Sequence, residues 1–279
     1  MSEVQVTPIG HATVLLKIGE RHLLFDPVFS QRIGVSFGPL TIGSRRLRPP
    51  AIQMNALPEI DVVLLSHSHM DHTDLPSLRR LPKKTMAIVQ KNNLGMVRRF
   101  KEKHALKWGE SLTLGKDVLE GSFSEKPVTI TATAAKHWGA RYLVDQWRGW
   151  GGFLIEIASV PSRLDNTKPF SILFAGDTAK TDVFKRLRQQ RNELGVDLAI
   201  MPIGAYDPWI FNHCSPEQAW QMAVHELGAE QVMPVHYDTF QLSNEPREEP
   251  MERLMAIAGK EGALDKLVGL TFGEAHTLV

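Results

Sequence analysis

The sequence predicts an α/β protein in which two β-sheets pack against each other and are covered by helices. Three observations carry this reading: short β-prone runs recur along the chain, strands precede helices in each half, and no linker-like shift in composition separates the halves. One domain over residues 1–279 is expected, within the size at which single cores stop growing, about 250 to 300 residues.

Residues 4–9, 14–18 and 22–25 are β-prone, divided by Gly10-His11 and Gly19-Glu20, and predict an opening meander. Residues 28–50, rich in glycine, proline and arginine, read as a long surface loop. The compact apolar run 61–65 ends at Ser66 as a buried strand, and helical spacing follows to residue 81. Residues 87–89, 128–133, 152–157 and 171–175 read as further strands, with 91–103 helical and 160–168 a hairpin loop. Residues 181–190 and 216–227 have helical periodicity around the apolar run 196–203. A buried strand at 232–235, a helix at 248–261 and an edge strand at 267–272 close the chain.

With 43% hydrophobic and 23% charged residues the chain can fill a core. Lys plus Arg total 32 and Asp plus Glu 31, a balance that favours neither nucleic acid nor anionic membrane as a general partner. The one cysteine, Cys214, excludes an internal disulfide and reads as a buried structural thiol; eleven histidines favour nitrogen and oxygen ligation of metals. These features fit a reducing, cytoplasmic location. The N-terminus lacks the features of a signal peptide and reads as structure from the outset. No run reaches the roughly 18 apolar residues of a membrane-spanning helix, so peripheral contact is the most expected of a membrane.

Ser66-His67-Ser68-His69-Met70-Asp71-His72 places three imidazoles and a carboxylate directly after a buried strand. Crowded imidazoles repel when protonated and need partners when buried, so a divalent cation is the simplest common solution; an exposed polar loop is the plain alternative. The His-X-His-X-Asp-His pattern resembles the metal motif of the metallo-β-lactamase superfamily. That family adds a histidine, an aspartate and a final histidine, each just after a strand, and His137, Asp177 and His236 stand in that order here. The resemblance implies a four-layer αββα sandwich with two metal sites, His67, His69 and His137 in one, Asp71, His72 and His236 in the other, and Asp177 bridging. It favours two zinc ions, although imidazole and carboxylate also suit iron or manganese. Gly176-Asp177-Thr178 equally suits a strand-to-helix turn with a capping aspartate.

Further motifs are Ile9-Gly10-His11-Ala12-Thr13, Leu57-Pro58-Glu59-Ile60-Asp61, Lys136-His137-Trp138, Pro202-Ile203-Gly204-Ala205-Tyr206 and His236-Tyr237-Asp238-Thr239-Phe240. Together they are similar to the N-acyl-phosphatidylethanolamine phospholipase D family and its bacterial relatives, over about residues 4–250. The resemblance implies hydrolysis of a phosphodiester in a small molecule or phospholipid by water activated between the metals, with Asp71 and Asp177 as catalytic residues. It also implies substrate contacts from Tyr206 and His213 and support of the metal site by His11. A short lead before the first strand, and Tyr237-Asp238 where a Trp-Gly pair is usual, predict an altered substrate range.

A lactonase, or a sugar-phosphate or carboxylic ester hydrolase, would use the same ligands. A nuclease is disfavoured by the balanced charge, and a non-catalytic metal-bound sensor by the complete ligand set. Trp138, Trp147, Trp150 and Trp209 are read as core, and Arg45-Arg46-Leu47-Arg48 with Phe29, Ile33, Val35 and Phe37 as a solvated loop. His22, His104, His225 and His276 lack partners at ligand spacing.

Overall fold

The computed structural model describes residues 3–37, 40–115, 127–142, 144–158 and 168–279. Most of the expected hairpin loop 160–168 lies outside them. The opening meander forms as β1 (Val4–Gly10), β2 (Thr13–Ile18) and β3 (Arg21–Phe25), all antiparallel neighbours. A hairpin, β4 (Val35–Phe37) with β5 (Leu40–Ile42), interrupts the expected loop. Next, β6 (Val62–Leu65), β7 (Met86–Gln90) and β8 (Lys103–Leu106) add to β3 in parallel, and β15 (His276–Thr277) pairs with β1 at the far edge.

The second sheet runs β14-β13-β12-β11-β10-β9, from β9 (Ser111–Leu114) through β10 (Val128–Thr133), β11 (Gly152–Ile157), β12 (Phe170–Phe174) and β13 (Leu198–Pro202) to β14 (Gln231–Val235). Its first four strands are antiparallel neighbours and its last three parallel. The helices are α1 (Leu75–Arg80), α2 (Val183–Gln190), α3 (Pro216–Trp220) and α4 (Glu249–Lys260).

Strand alternation explains the layering, because successive side chains face opposite sides of a sheet. Val62 and Leu64 of β6 meet Phe170, Ile172 and Phe174 of β12 in the core between the sheets. Val63 and Leu65 turn outward beneath Leu78 of α1, while Leu173 and Ala199 face Phe184, Trp220 and Leu254 of the other helical layer. The predicted two-sheet sandwich under helices is the fold observed.

Local expectations failed where tertiary pairing or backbone chemistry overrode pattern. Residues 91–103 hold a single 3-10 turn, Leu94–Met96, and then join β8. Asn92 takes a left-handed φ of 66°, and the Asn93 side chain donates to the Gly149 carbonyl, so a continuous helix cannot start there. Residues 267–272 make only a bridge from Leu267 to Val232, because Gly269 and Gly273 turn the chain at positive φ. Phe29, Ile33 and Arg46 are buried, and Arg46 Nη2 donates to the Val28 carbonyl at 2.6 Å, which anchors the segment read as solvated. Helix α3 starts at a Ser215 and Gln218 capping box and passes into a π-helical turn, Gln221–Glu226.

Candidate metal centre

Six strand ends converge on one edge of the sandwich. His11 follows β1, Asp26 follows β3, the His67 to His72 loop follows β6, His137 follows β10, Asp177 follows β12 and His236 follows β14. Two glycines allow the approach. At Gly176, with φ +63°, an added Cβ would lie 2.7 Å from the Gly151 oxygen and 3.0 Å from Ser66 Cβ, so Asp177 is carried close to the histidine loop. At Gly204 an added Cβ would lie 2.3 Å from the His236 carbonyl oxygen. His11, Asp26 and His236 have positive φ of 55°, 38° and 63°, conformations that side-chain-bearing residues keep only where packing and bonding over-determine them.

The ligand atoms form two groups. His69 Nδ1 stands 2.9 Å from His67 Nε2 and 3.2 Å from His137 Nε2. On the other side Asp71 Oδ2 lies 3.6 Å from His72 Nε2 and 3.4 Å from His236 Nε2. Asp177 Oδ2 sits between them, 3.1 Å from both His72 Nε2 and His236 Nε2 and 3.9 Å from His67 Nε2 and His137 Nε2. Yet both Asp177 oxygens, His72 Nε2 and His236 Nε2 are buried without a hydrogen-bond partner. Buried polar atoms left unpaired are costly, and donors around one zinc ion at about 2.0–2.1 Å would be roughly 3.3 Å apart in a tetrahedron. The donor set therefore fits divalent ions.

Outer hydrogen bonds fix which ring nitrogen faces inward. His137 Nδ1 donates to the Asn212 carbonyl at 2.9 Å and His72 Nδ1 to Asp26 Oδ2 at 2.7 Å. The Ser66 backbone N–H donates to Asp26 Oδ1 at 2.8 Å and its hydroxyl to Asp26 Oδ2, so His67 Nδ1, 2.9 Å from Ser66 Oγ, must be the donor there. One buried carboxylate thus orients two imidazoles, leaving Nε2 of each toward the cluster.

Electrostatics match. Burial pushes His69 and His137 down to about 4 and His67 well below the usual imidazole range, keeping them neutral. Burial opposes charge on His72 and His236 as well, but Asp177 and Asp71 beside them, with Asp26 at His72, together outweigh it, holding His236 up at about 9 and His72 well above its ordinary value. Burial likewise raises the carboxyls of Asp71 and Asp177, but His72 and His236, joined by His11 at Asp71, together overcome it, so both stay ionised.

All seven residues expected as ligands are brought together. His11 stands behind them, Nε2 3.1 Å from Asp71 Oδ2. His213 borders the cluster, its Nδ1 3.8 Å from Asp177 Oδ2. Tyr206, the other residue expected to touch substrate, meets α4: its hydroxyl donates to Glu249 Oε1 at 2.8 Å, and the Arg253 guanidinium lies 4.9 Å from its ring centroid. The tryptophan expectation is corrected, since Trp138, Trp147 and Trp209 are exposed. Sequence reasoning missed Asp26 and Ser66, although Phe25-Asp26 ends a strand just as the ligands do.

The family model for the beta-lactamase superfamily domain matches residues 21–237, which include all seven candidate ligand positions. The chain belongs to the metallo-β-lactamase superfamily. Within it, an uncharacterized protein of Mycobacterium tuberculosis is 31% identical over 93% of this chain, which spans 65% of that relative's length. An N-acyl-phosphatidylethanolamine-hydrolyzing phospholipase D of Caenorhabditis elegans is 31% identical over 90% of this chain and 68% of its own. The chain is thus similar to that phospholipase D family. Its fold matches an isothiocyanate hydrolase from Delia radicum gut bacteria with a TM-score of 0.71 at 18% identity, covering 98% of both chains.

Proposed function

We propose that the cluster holds two divalent ions, zinc by preference, and that residues 1–279 act as one hydrolase domain on phosphodiesters of the N-acyl-phosphatidylethanolamine class. The observation that carries this is Asp177, whose Oδ2 stands within 3.1 to 3.9 Å of five imidazole nitrogens, those of His67, His72, His137, His213 and His236, yet is buried without a hydrogen bond. His67, His69 and His137 would hold one ion, Asp71, His72 and His236 the other, with Asp177 shared. Bound there, such ions supply Lewis acidity toward a phosphoryl oxygen and activate water at neutral pH.

The chain's own groups do the rest. Hydrolysis forms one P–O bond from water and breaks one to the leaving alcohol. Asp177 and Asp71, both ionised, orient the water and take part in its charge balance. His213, pushed by burial down to about 4 and so neutral, borders the cluster and is available to hydrogen-bond a phosphoryl oxygen. Beside His69 an open groove of about 940 Å³, walled by Trp138, Tyr142, Val144 and Trp150, offers room for an acyl chain. Likeness to the Caenorhabditis elegans phospholipase D supports the diester class.

Metal content and hydrolysis of bis(p-nitrophenyl) phosphate and an N-acyl-phosphatidylethanolamine, in wild type, Asp177→Asn and His67→Ala, test the reading. Wild type is expected to carry about two ions per chain and to cleave a diester, with each variant slower by about a hundredfold or more. Two ions with both diesters intact would move carboxylic esters and lactones ahead. No bound metal would overturn the proposal.

A further inference from the structure

We propose that Arg141 is a positioning residue for the metal centre, bracing the histidine loop through its main chain. The Arg141 Nη1 donates to the Ser68 carbonyl at 3.0 Å and to the Thr73 carbonyl at 2.7 Å. Those carbonyls flank His69, Asp71 and His72, so one guanidinium nitrogen ties together the two ends of the stretch that carries three of the seven expected ligands. Among the described residues the guanidinium has no other hydrogen-bond partner and no carboxylate within ion-pairing distance, and its Nε is buried unpaired. A permanent charge is costly to bury even in part without a counter-charge, and the two carbonyl contacts offset that cost.

The loop's own bonds close a turn but do not place it. The His72 and Thr73 N–H groups both donate to the His69 carbonyl, at 3.2 and 2.8 Å, and Thr73 Oγ1 donates to the His67 carbonyl at 2.6 Å. Two ties run from this turn to the segment after β10. The Ser68 hydroxyl donates to the Gly139 carbonyl, and Arg141 reaches back to both ends of the turn. That segment begins with His137, so the ties lock the loop of His67 and His69 to the third imidazole of the same group. The segment is itself held. An added Cβ at Gly139 would lie 2.4 Å from the Arg148 carbonyl oxygen, and buried Asp145 accepts from the Tyr142 N–H at 2.7 Å and from Arg148 Nε at 2.5 Å.

Charge assigns the effect to geometry. A guanidinium beside a site for divalent cations repels them, so Arg141 favours metal only by placing the imidazoles. Lysine is a poor substitute, because its ammonium ends one bond earlier and lacks the planar fork.

The inference rests on reading the cluster as a metal centre, and a readout taken without metal separates the two. The full chain is compared with Arg141→Ala and Arg141→Lys by hydrogen exchange of the His72 and Thr73 amides in metal-free protein, by chelator competition and by the visible absorption of the cobalt-loaded protein. Arg141→Ala is expected to exchange at least about tenfold faster at those amides, to bind metal about 10- to 100-fold more weakly and to show an altered cobalt spectrum. Methylguanidinium, and not methylammonium, should restore the spectrum in part, and Arg141→Lys should fall between wild type and Arg141→Ala. On bis(p-nitrophenyl) phosphate the loss should lie in kcat, with KM within about twofold of wild type. Exchange and metal affinity unchanged in folded Arg141→Ala overturn the proposal; so does a rise in KM alone, which would assign the guanidinium to the substrate. Wild type that binds no metal, with loop protection still lost in Arg141→Ala, would sink the metal reading and support the brace. If Arg141→Ala does not fold, Arg141→Lys decides by the same readouts.

Discussion

At the residue scale, the centre depends on a carboxylate that touches no metal in the proposed scheme. Asp26 accepts from His72 Nδ1 and from the hydroxyl and backbone of Ser66, which in turn accepts from His67 Nδ1. Removing it frees two imidazoles to rotate or change tautomer without deleting a ligand. Asp26→Ala is expected to weaken metal affinity by about 10- to 100-fold, measured by competition with a chelator. Affinity unchanged in a folded Asp26→Ala protein would show that packing alone sets these rings. Cys214, one residue from His213, has no comparable role: its buried thiol is pushed up to about 12, and its Sγ donates to the Pro202 carbonyl.

At the element scale, α3 and α4 are joined by a charged network. Arg253 on α4 donates to both Glu217 oxygens, at 2.8 and 2.7 Å, and to Glu249 Oε1 at 2.9 Å, while Tyr206 donates to the same Glu249 oxygen. The Arg253 hydrogen bonds hold Glu217 at about 2, below its ordinary 4.5. A carboxyl depressed in the folded state stabilises it fully above the unfolded value and loses that contribution as pH falls through the folded one. Wild type should therefore exceed Glu217→Gln in denaturation midpoint at neutral pH, with the gap closing between about pH 4.5 and about pH 2. Because both side chains are over a third exposed, the gap should be small. A gap that persists at pH 2 would mean that the glutamate acts through shape instead of charge.

At the scale of the whole molecule, each sheet combines antiparallel strands with a parallel set, and the two sheets share the core built from Phe25, Phe174 and their neighbours. The Phe25 and Phe174 rings stack at 4.8 Å, one residue before Asp26 and three before Asp177. Packing between the sheets and geometry at their common edge are thus one structure. Ligands that bind only the folded state stabilise it by mass action, about 4 kcal/mol at a thousandfold excess over Kd. Saturation with zinc should raise the thermal midpoint by about 10 °C, and chelation should reverse it. A midpoint indifferent to both would mean that the donors do not bind metal in the native state.

Local chemistry was enough to determine most strands of both sheets, though not β8, β9 or β15, together with the helices α1, α2, α3 and α4 and the order of the ligand-type residues at strand ends. Alternation and turn residues act over a few positions, so they can be read along the chain. Tertiary structure alone decided that residues 91–103 leave the helix for β8, that Tyr206 pairs with α4, and that Asp26 stands behind His67 and His72. It also decided that the tryptophans near the ligands face outward, because exposure depends on which layers cover a residue and not on its own apolarity. Register and layer packing join residues as far apart as His11 and His236, whose rings lie 4.2 Å apart, and no local pattern encodes that distance.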